Sequence, residues 1–238
     1  MLKNYLKIIT YPVGQSINIM DIKVAIIDYG LGNLFSINNA CKLVGLNTII
    51  TKDIDVINNA DALILPGVGA FGDAMNSLNN NNLTQTIYQF VQSGKPFLGI
   101  CLGMQLLFSE SEEFGSNKGL NLIKGKVVKF PSINNKGDKV RVPQIQWNQI
   151  YAEDKNTWKN SPLKDLSEGS YMHFVHSYFA IPEDKNDILT YTEYEGTRYA
   201  SAVKKDNIIG IQYHPEKSAK DGIKIYQNWA NFIKNKSY

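Results

Sequence analysis

Pro96-Phe97-Leu98-Gly99-Ile100-Cys101-Leu102-Gly103-Met104-Gln105 carries an apolar strand straight into a helix, with a cysteine at the junction and a glycine two positions to either side. The pattern predicts a strand over 96–100 and a helix from 102 to about 113. A tight strand-to-helix turn presses two backbones together where a Cβ would clash, which is what the paired glycines relieve. This is the layout of a nucleophile elbow with cysteine in place of serine. A helix N-terminus at that point favours thiolate, and the Leu102 N–H points where an oxyanion would form. Gln105, four residues on, shares a helix face with Cys101. A buried, inert cysteine at a strand end satisfies the same stretch, so this motif alone leaves both readings open. Cys41 serves as the internal control: it lies on an apolar helical stripe with Leu34, Ile37 and Val44, has no glycine turn, and reads as core.

Upstream, the same grammar repeats. An apolar run over 23–28 ends in Tyr29-Gly30-Leu31-Gly32-Asn33, a helix follows and stops at Gly45, and strands are predicted over 48–51 and 62–65. The second of these stops at Pro66-Gly67-Val68-Gly69, and a helix containing 84–91 ends at Gly94. Nearly all-apolar strands alternating with helices indicate a parallel sheet covered on both faces. After Gly115 the pattern changes. Segments 126–130, 144–150, 172–181, 189–194, 199–204 and 208–212 are strand-like with few helices between them, which indicates an antiparallel or mixed extension of the sheet. A last helix over 219–232 carries Ile223, Tyr226, Trp229 and Ile233 on its apolar face. The expected fold is α/β: one domain over 22–238, with a mostly parallel central sheet, helices on both faces and the mixed extension.

Residues 1–21 are set apart as an N-terminal extension. It either precedes a functional start at Met20 or forms an extra surface arm. Lys7, Pro12 and Gln15 interrupt it, so no secretory signal is expected and the default compartment is cytoplasmic. The 238 residues are 43% apolar, enough for a core, and no run reaches the ~18 apolar residues of a membrane span. A net charge of +3 spread along the chain leaves no footprint for nucleic acid. With two cysteines and three histidines, a disulfide framework is excluded and a zinc cluster nearly so.

A thiol nucleophile needs a base. Tyr213-His214-Pro215-Glu216 follows a predicted strand, placing His214 at a strand end, where open α/β sheets put their sites. Glu216 is near enough to orient the imidazole. An exposed turn with a capping acid is the plainer reading of that tetrapeptide. His173 and His176 lie in a strand-like run, where an odd offset sends side chains to opposite faces. A metal pair is therefore rejected, and at least one of the two reads as structural or interfacial. Pro66-Gly67-Val68-Gly69-Ala70-Phe71 lacks the Gly-Lys-Ser/Thr of a phosphate loop and fits an oxyanion- or carboxylate-binding loop better.

In order, the Pro66–Gly69 loop, the Cys101 elbow and His214-Pro215-Glu216 resemble the class I, triad-type glutamine amidotransferases. Tyr29-Gly30-Leu31-Gly32-Asn33-Leu34, Val142-Pro143 before Trp147-Asn148, and Phe174-Val175-His176-Ser177-Tyr178 narrow the resemblance to the glutaminase subunits of imidazole glycerol phosphate synthase, over about residues 23–232. The resemblance implies a catalytic triad of Cys101, His214 and Glu216, with a glutamyl thioester formed and then hydrolysed. It implies oxyanion donors at Val68 and Leu102, glutamine held by Gly67, Gly69, Gln105, Ser177 and Tyr178, and no cofactor. A glutaminase of this kind fills about 200 residues and a (β/α)₈ acceptor enzyme about 250 more, so a separate synthase subunit is implied, forming a heterodimer that channels ammonia into a cyclase barrel of histidine biosynthesis. Asn33, Trp147 and Asn148 are where the contact face is expected. Two departures bear on the partner. Gln146 stands where the family has glycine before Trp147, and His173 stands where it often has an aromatic. A paralogous glutaminase feeding an N-acetyl-sugar amidotransferase of cell-surface polysaccharide synthesis therefore stays open. So do a catalytically idle binding module and a peptidase or γ-glutamyl hydrolase on a related fold.

Overall fold

A computed structural model describes residues 22–153 and 156–235, so the expected N-terminal extension lies outside the described residues. The first half runs β1 (Lys23–Ile27), α1 (Leu34–Leu43), β2 (Asn47–Thr51), α2 (Ile54–Asn58), β3 (Ala62–Leu65), α3 (Phe71–Asn80), α4 (Leu83–Gln92), β4 (Phe97–Ile100) and α5 (Leu102–Gln105). The second half runs β5 (Glu110–Ser111), β6 (Asn117–Lys118), β7 (Gly125–Lys129), β8 (Gln144–Gln149), α6 (Asn156–Lys159), β9 (Tyr171–His176), β10 (Tyr178–Pro182), β11 (Ile188–Tyr194), β12 (Thr197–Lys205), β13 (Ile208–Ile211) and α7 (Ala219–Asn235).

The main sheet is ordered β2-β1-β3-β4-β13-β12-β10-β7-β5-β6, with β11 also paired to β12. From β2 to β13 all neighbours are parallel. The β13–β12, β12–β10 and β10–β7 pairs are antiparallel, which is the mixed extension the sequence predicts. Strand residues alternate between two cores. Val24, Ile26, Ile64 and Ile100 pack with Ile37, Tyr226 and Trp229 under α1 and α7. Ala25, Ile27, Leu63 and Leu65 pack with Phe71, Leu78 and Phe90 under α3 and α4. Burial on both faces is why these strands read as unbroken apolar runs. Because β1, β3, β4 and β13 are parallel, the loops after them gather at one sheet edge. Those loops carry Asn33, Gly67–Gly69, Cys101 and His214.

Two expectations need correction. The helix begun at Leu102 ends at Gln105, and Glu110–Ser111 is a strand. The carbonyls that a longer helix would use are taken by another segment: Leu106 O accepts from Leu120 N at 2.8 Å, Leu107 O from Leu122 N at 2.9 Å and Phe108 O from Asn121 N at 3.0 Å. Leu106, Leu107 and Phe108 are fully buried, so tertiary packing overrides local helix preference. The single strand predicted over 172–181 is two strands in different sheets. β9 pairs with β8 in a separate two-stranded sheet, and β10 joins the main sheet. The break falls at Ser177, whose carbonyl accepts from Phe130 N at 3.1 Å.

Candidate active site

The elbow is built as its glycines require. A Cβ on Gly103 would lie 1.9 Å from Leu65 O, and one on Gly99 would lie 2.8 Å from Gly103 O, so neither position admits a side chain. The turn forces Cys101 to φ +55°, a strained conformation for a residue with a Cβ. Its backbone N–H donates to Ile211 O at 2.7 Å, which fixes the sulfur beside the end of β13.

His214 follows that end. Its N–H donates to His173 O at 2.9 Å, and its carbonyl accepts from Ser218 Oγ at 2.6 Å, so its backbone is held from both sides. The ring Nδ1 lies 2.8 Å from Glu216 Oε1, and both side chains are buried. With Nδ1 occupied by Glu216, Nε2 is the ring nitrogen left to serve Cys101, which lines the same cleft. Burial, the largest single influence, pulls the imidazole down. The Cys101 charge, the hydrogen bonds to Cys101 and Glu216, and the Glu216 charge outweigh it and push the ring up to about 10. The three groups therefore favour an imidazolium between two acceptors.

Cys101 and His214, the latter with Glu216 buried behind its ring, face an open cleft of ≈ 340 Å³ whose lining also includes Val68, Gly69, Leu102, Gln105, Ser177, Tyr178 and Lys217. Gly67 sits just behind it: a Cβ there would meet Tyr29 Oη at 2.7 Å and Leu102 Cβ at 2.8 Å, so this glycine lets the loop pack on the elbow. Tyr29 Oη also donates to Pro66 O at 2.8 Å and holds the loop in place. Gln105 donates through Nε2 to Tyr178 O and to Gln212 Oε1, both at 2.9 Å. The histidine pair divides as its strand spacing predicts. His176 is buried, with Nδ1 2.8 Å from Tyr178 O and Nε2 3.2 Å from Tyr199 Oη, and burial lowers its pKa to about 4. His173 is on the other face, with its ring 6.0 Å from Trp147 and 6.3 Å from His214.

The expected contact residues separate. Trp147 is 47% exposed and shares a face of the β8–β9 sheet with Ile145 at 62% and Tyr171 at 54%. Asn33 is half-buried at the start of α1 and makes no capping bond with its side chain. Asn148 is tied inward: its Nδ2 donates to Glu193 O at 2.9 Å and its Oδ1 accepts from Gln149 N at 2.8 Å. Sequence reasoning passed over Gln212, fully buried beside Cys101, and Lys217 and Glu113 in the cleft wall. A polar side chain closing the apolar run Ile208–Ile211 was the available signal for Gln212.

A model of the glutamine amidotransferase class-I family matches residues 25–231. The chain belongs to that family. It is also 47% identical over 210 residues to the imidazole glycerol phosphate synthase subunit HisH of Sulfurimonas denitrificans, covering 88% of this chain and 98% of that one. The HisH subunit of Aquifex aeolicus is 43% identical over 87% of this chain and 95% of its own length. That of Bacillus subtilis is 44% identical over 85% and 92%. Among solved structures, PurLQS of Thermotoga maritima superposes with a TM-score of 0.69 at 19% identity, covering 90% of this chain and 100% of that chain. At that identity the likeness speaks for the fold. Among the described residues, no helix is long and apolar enough to cross a membrane.

Proposed function

We propose that Cys101, His214 and Glu216 hydrolyse the side-chain amide of glutamine, and that the chain is the glutaminase subunit of an imidazole glycerol phosphate synthase. The observation that carries the chemistry is that Cys101, at a strained elbow, lines one cleft with His214, whose ring is held by Glu216 Oε1 at 2.8 Å. The Cys101 thiolate attacks the amide carbon. The oxyanion is met by the N–H groups of Leu102, at a helix N-terminus, and Val68, each donor worth about 3–4 kcal/mol. His214 gives its proton to the departing ammonia, then takes one from the water that cleaves the thioester, while Glu216 keeps the ring in register. Gly67 and Gly69 shape the loop that carries Val68. Ser177 and Tyr178 line the same cleft. Both Nε2 protons of Gln105 are used internally, so its Oε1 is left as the acceptor for the substrate.

Ammonia passes to a cyclase subunit in a heterodimer. The relatives at 43–47% identity favour histidine biosynthesis over the sugar-nucleotide pathway. The intact triad disfavours an idle module. Asn33 and the Trp147 face are the proposed contact surface, while Asn148 supports that surface from beneath. The glutaminase domain is read as residues 22–238, in line with the family match over 25–231. A cytoplasmic location is proposed, supported by two free cysteines. The test is glutamate release by the full chain with and without the cyclase subunit. Release that depends on Cys101 and rises with the partner is expected. Full activity in Cys101→Ala would end this reading.

A further inference from the structure

The Cys101 sulfur has a side-chain neighbour that the triad does not use. Gln212 is fully buried, and its Nε2 lies 3.8 Å from Sγ, at the long end of an N–H···S contact. Which end of that amide faces the sulfur follows from a chain of donors. Tyr178 O is a backbone carbonyl and can only accept, so Gln105 presents Nε2 to it. The same Nε2 donates its second proton to Gln212, so the group receiving it must be Gln212 Oε1. That leaves Gln212 Nε2 facing Cys101. A flip of either amide would set donor against donor, or acceptor against acceptor, at a buried contact.

We infer that Gln212 is a positioning residue for the nucleophile: its side chain offers Cys101 Sγ only a donor, which favours thiolate over thiol, and the same amide ties the sulfur to Gln105. The inference deepens the glutaminase reading and rests on it. Other groups face the sulfur as well. His214 meets it from the segment after β13, and Val175 O meets it from β9 at 3.8 Å as an acceptor for the thiol proton. Tyr29 feels its charge from the loop after β1, Glu216 stands behind the imidazole, and Lys217 and Glu113 lie in the cleft wall. Of the two neutral groups touching the sulfur, Val175 O can only accept and so favours the thiol, whereas Gln212 is held by its own anchoring as a donor and favours the thiolate. It also gives a route by which glutamine, on reaching Gln105, reports to the sulfur: a pull on Gln105 is a pull on the amide that touches Sγ.

The test uses the full chain, assembled with its cyclase subunit for kinetics and free for alkylation by iodoacetamide across pH, with the Cys101 peptide followed by mass spectrometry. Gln212→Glu keeps an acceptor for Gln105 and replaces the donor at sulfur by a negative oxygen. Gln212→Leu removes both contacts. The alkylation midpoint should rise by about one pH unit or more in Gln212→Glu, a tenfold change in the thiol–thiolate balance, and less in Gln212→Leu. The kcat/KM should fall roughly 10–100-fold in both, the worth of one hydrogen bond to a charged group. KM for glutamine should rise chiefly in Gln212→Leu, where Gln105 loses its anchor. Wild-type midpoints and wild-type kcat in two folded variants would overturn the inference. A second measurement needs no Gln212 variant: the side-chain amide resonance of Gln212 should shift with the midpoint seen in alkylation and stay flat in Cys101→Ala. A flat resonance in wild type overturns the inference whether or not the variants fold. Neither result touches the glutaminase reading, which fails separately if Cys101→Ala keeps full glutamate release.

Discussion

The two cysteines make the instructive comparison, because burial does not distinguish them. Cys41 is 0% exposed and Cys101 6%. Cys41 lies on α1 against Ile37 and the apolar core; burial, then the charge of Glu216, push its thiol up and keep it inert. Cys101 is offered an imidazolium and an amide N–H at a helix start. The difference lies in which dipoles and charges face the sulfur, and these come from segments distant in sequence. The largest predicted effect breaks the comparison open: Cys101→Ala should cost at least about 10³-fold in glutaminase kcat, measured in the assembled complex. Cys41→Ala should retain activity and lose about 1–2 kcal/mol of stability in urea unfolding.

The elbow that separates the two sulfurs can be attacked directly. Gly103→Ala places a methyl against Leu65 O, so either β3 or the elbow must move. A loss of about 1–3 kcal/mol in urea unfolding is expected, together with most of the activity. Alanine at Gly94, where a Cβ would have nothing within 4 Å, meets no clash, although its φ of +76° still disfavours a side chain. It should cost less stability and leave glutamate release intact.

The Cys101 side of the comparison also has a pH signature. His214 is held above its ordinary value by Cys101 and Glu216 against the pull of burial. A folded-state pKa raised from 6.5 to about 10 contributes stability fully present below pH 6.5 and lost as pH rises through about 10. Cys101→Ala removes the first two upward influences and leaves burial in force, so the His214 titration, followed by NMR of the ring protons, should move down. The stability difference between wild type and Cys101→Ala should shrink above pH 10. The same measurement on Cys41→Ala should leave His214 where it was.

How much of this was legible in the sequence depends on distance along the chain. The elbow was legible because Gly99, Cys101 and Gly103 meet through local geometry, and so was the parallel sheet, because strands buried on both faces become apolar runs. The length of α5 was not, since the carbonyls of Leu106–Phe108 are claimed by residues 120–123, and nothing within 102–113 announces that competition. The break at Ser177 was hidden because β9 and β10 are both strands, and only pairing assigns them to different sheets. Gln212 stands out in the sequence only as a polar residue closing an apolar run, and what it serves was hidden for the same reason: its partner sulfur is 111 residues away.

The smallest predicted effect carries the comparison from the sulfurs to the surface. Trp147 and Asn148 are adjacent in β8, and a strand sends adjacent side chains to opposite faces. Trp147 is exposed beside Ile145 and Tyr171, an apolar patch with no cover among the described residues. Asn148 spends its side chain on Glu193 O. Trp147→Ala should therefore weaken binding of the cyclase subunit by about 2 kcal/mol, roughly 30-fold in Kd by calorimetry, with the unfolding curve unmoved. Asn148→Ala should do the reverse, costing about 1 kcal/mol of stability as one internal hydrogen bond is lost and changing Kd less than about threefold. Equal effects of the two on Kd would mean that the partner reads the whole strand rather than its outer face.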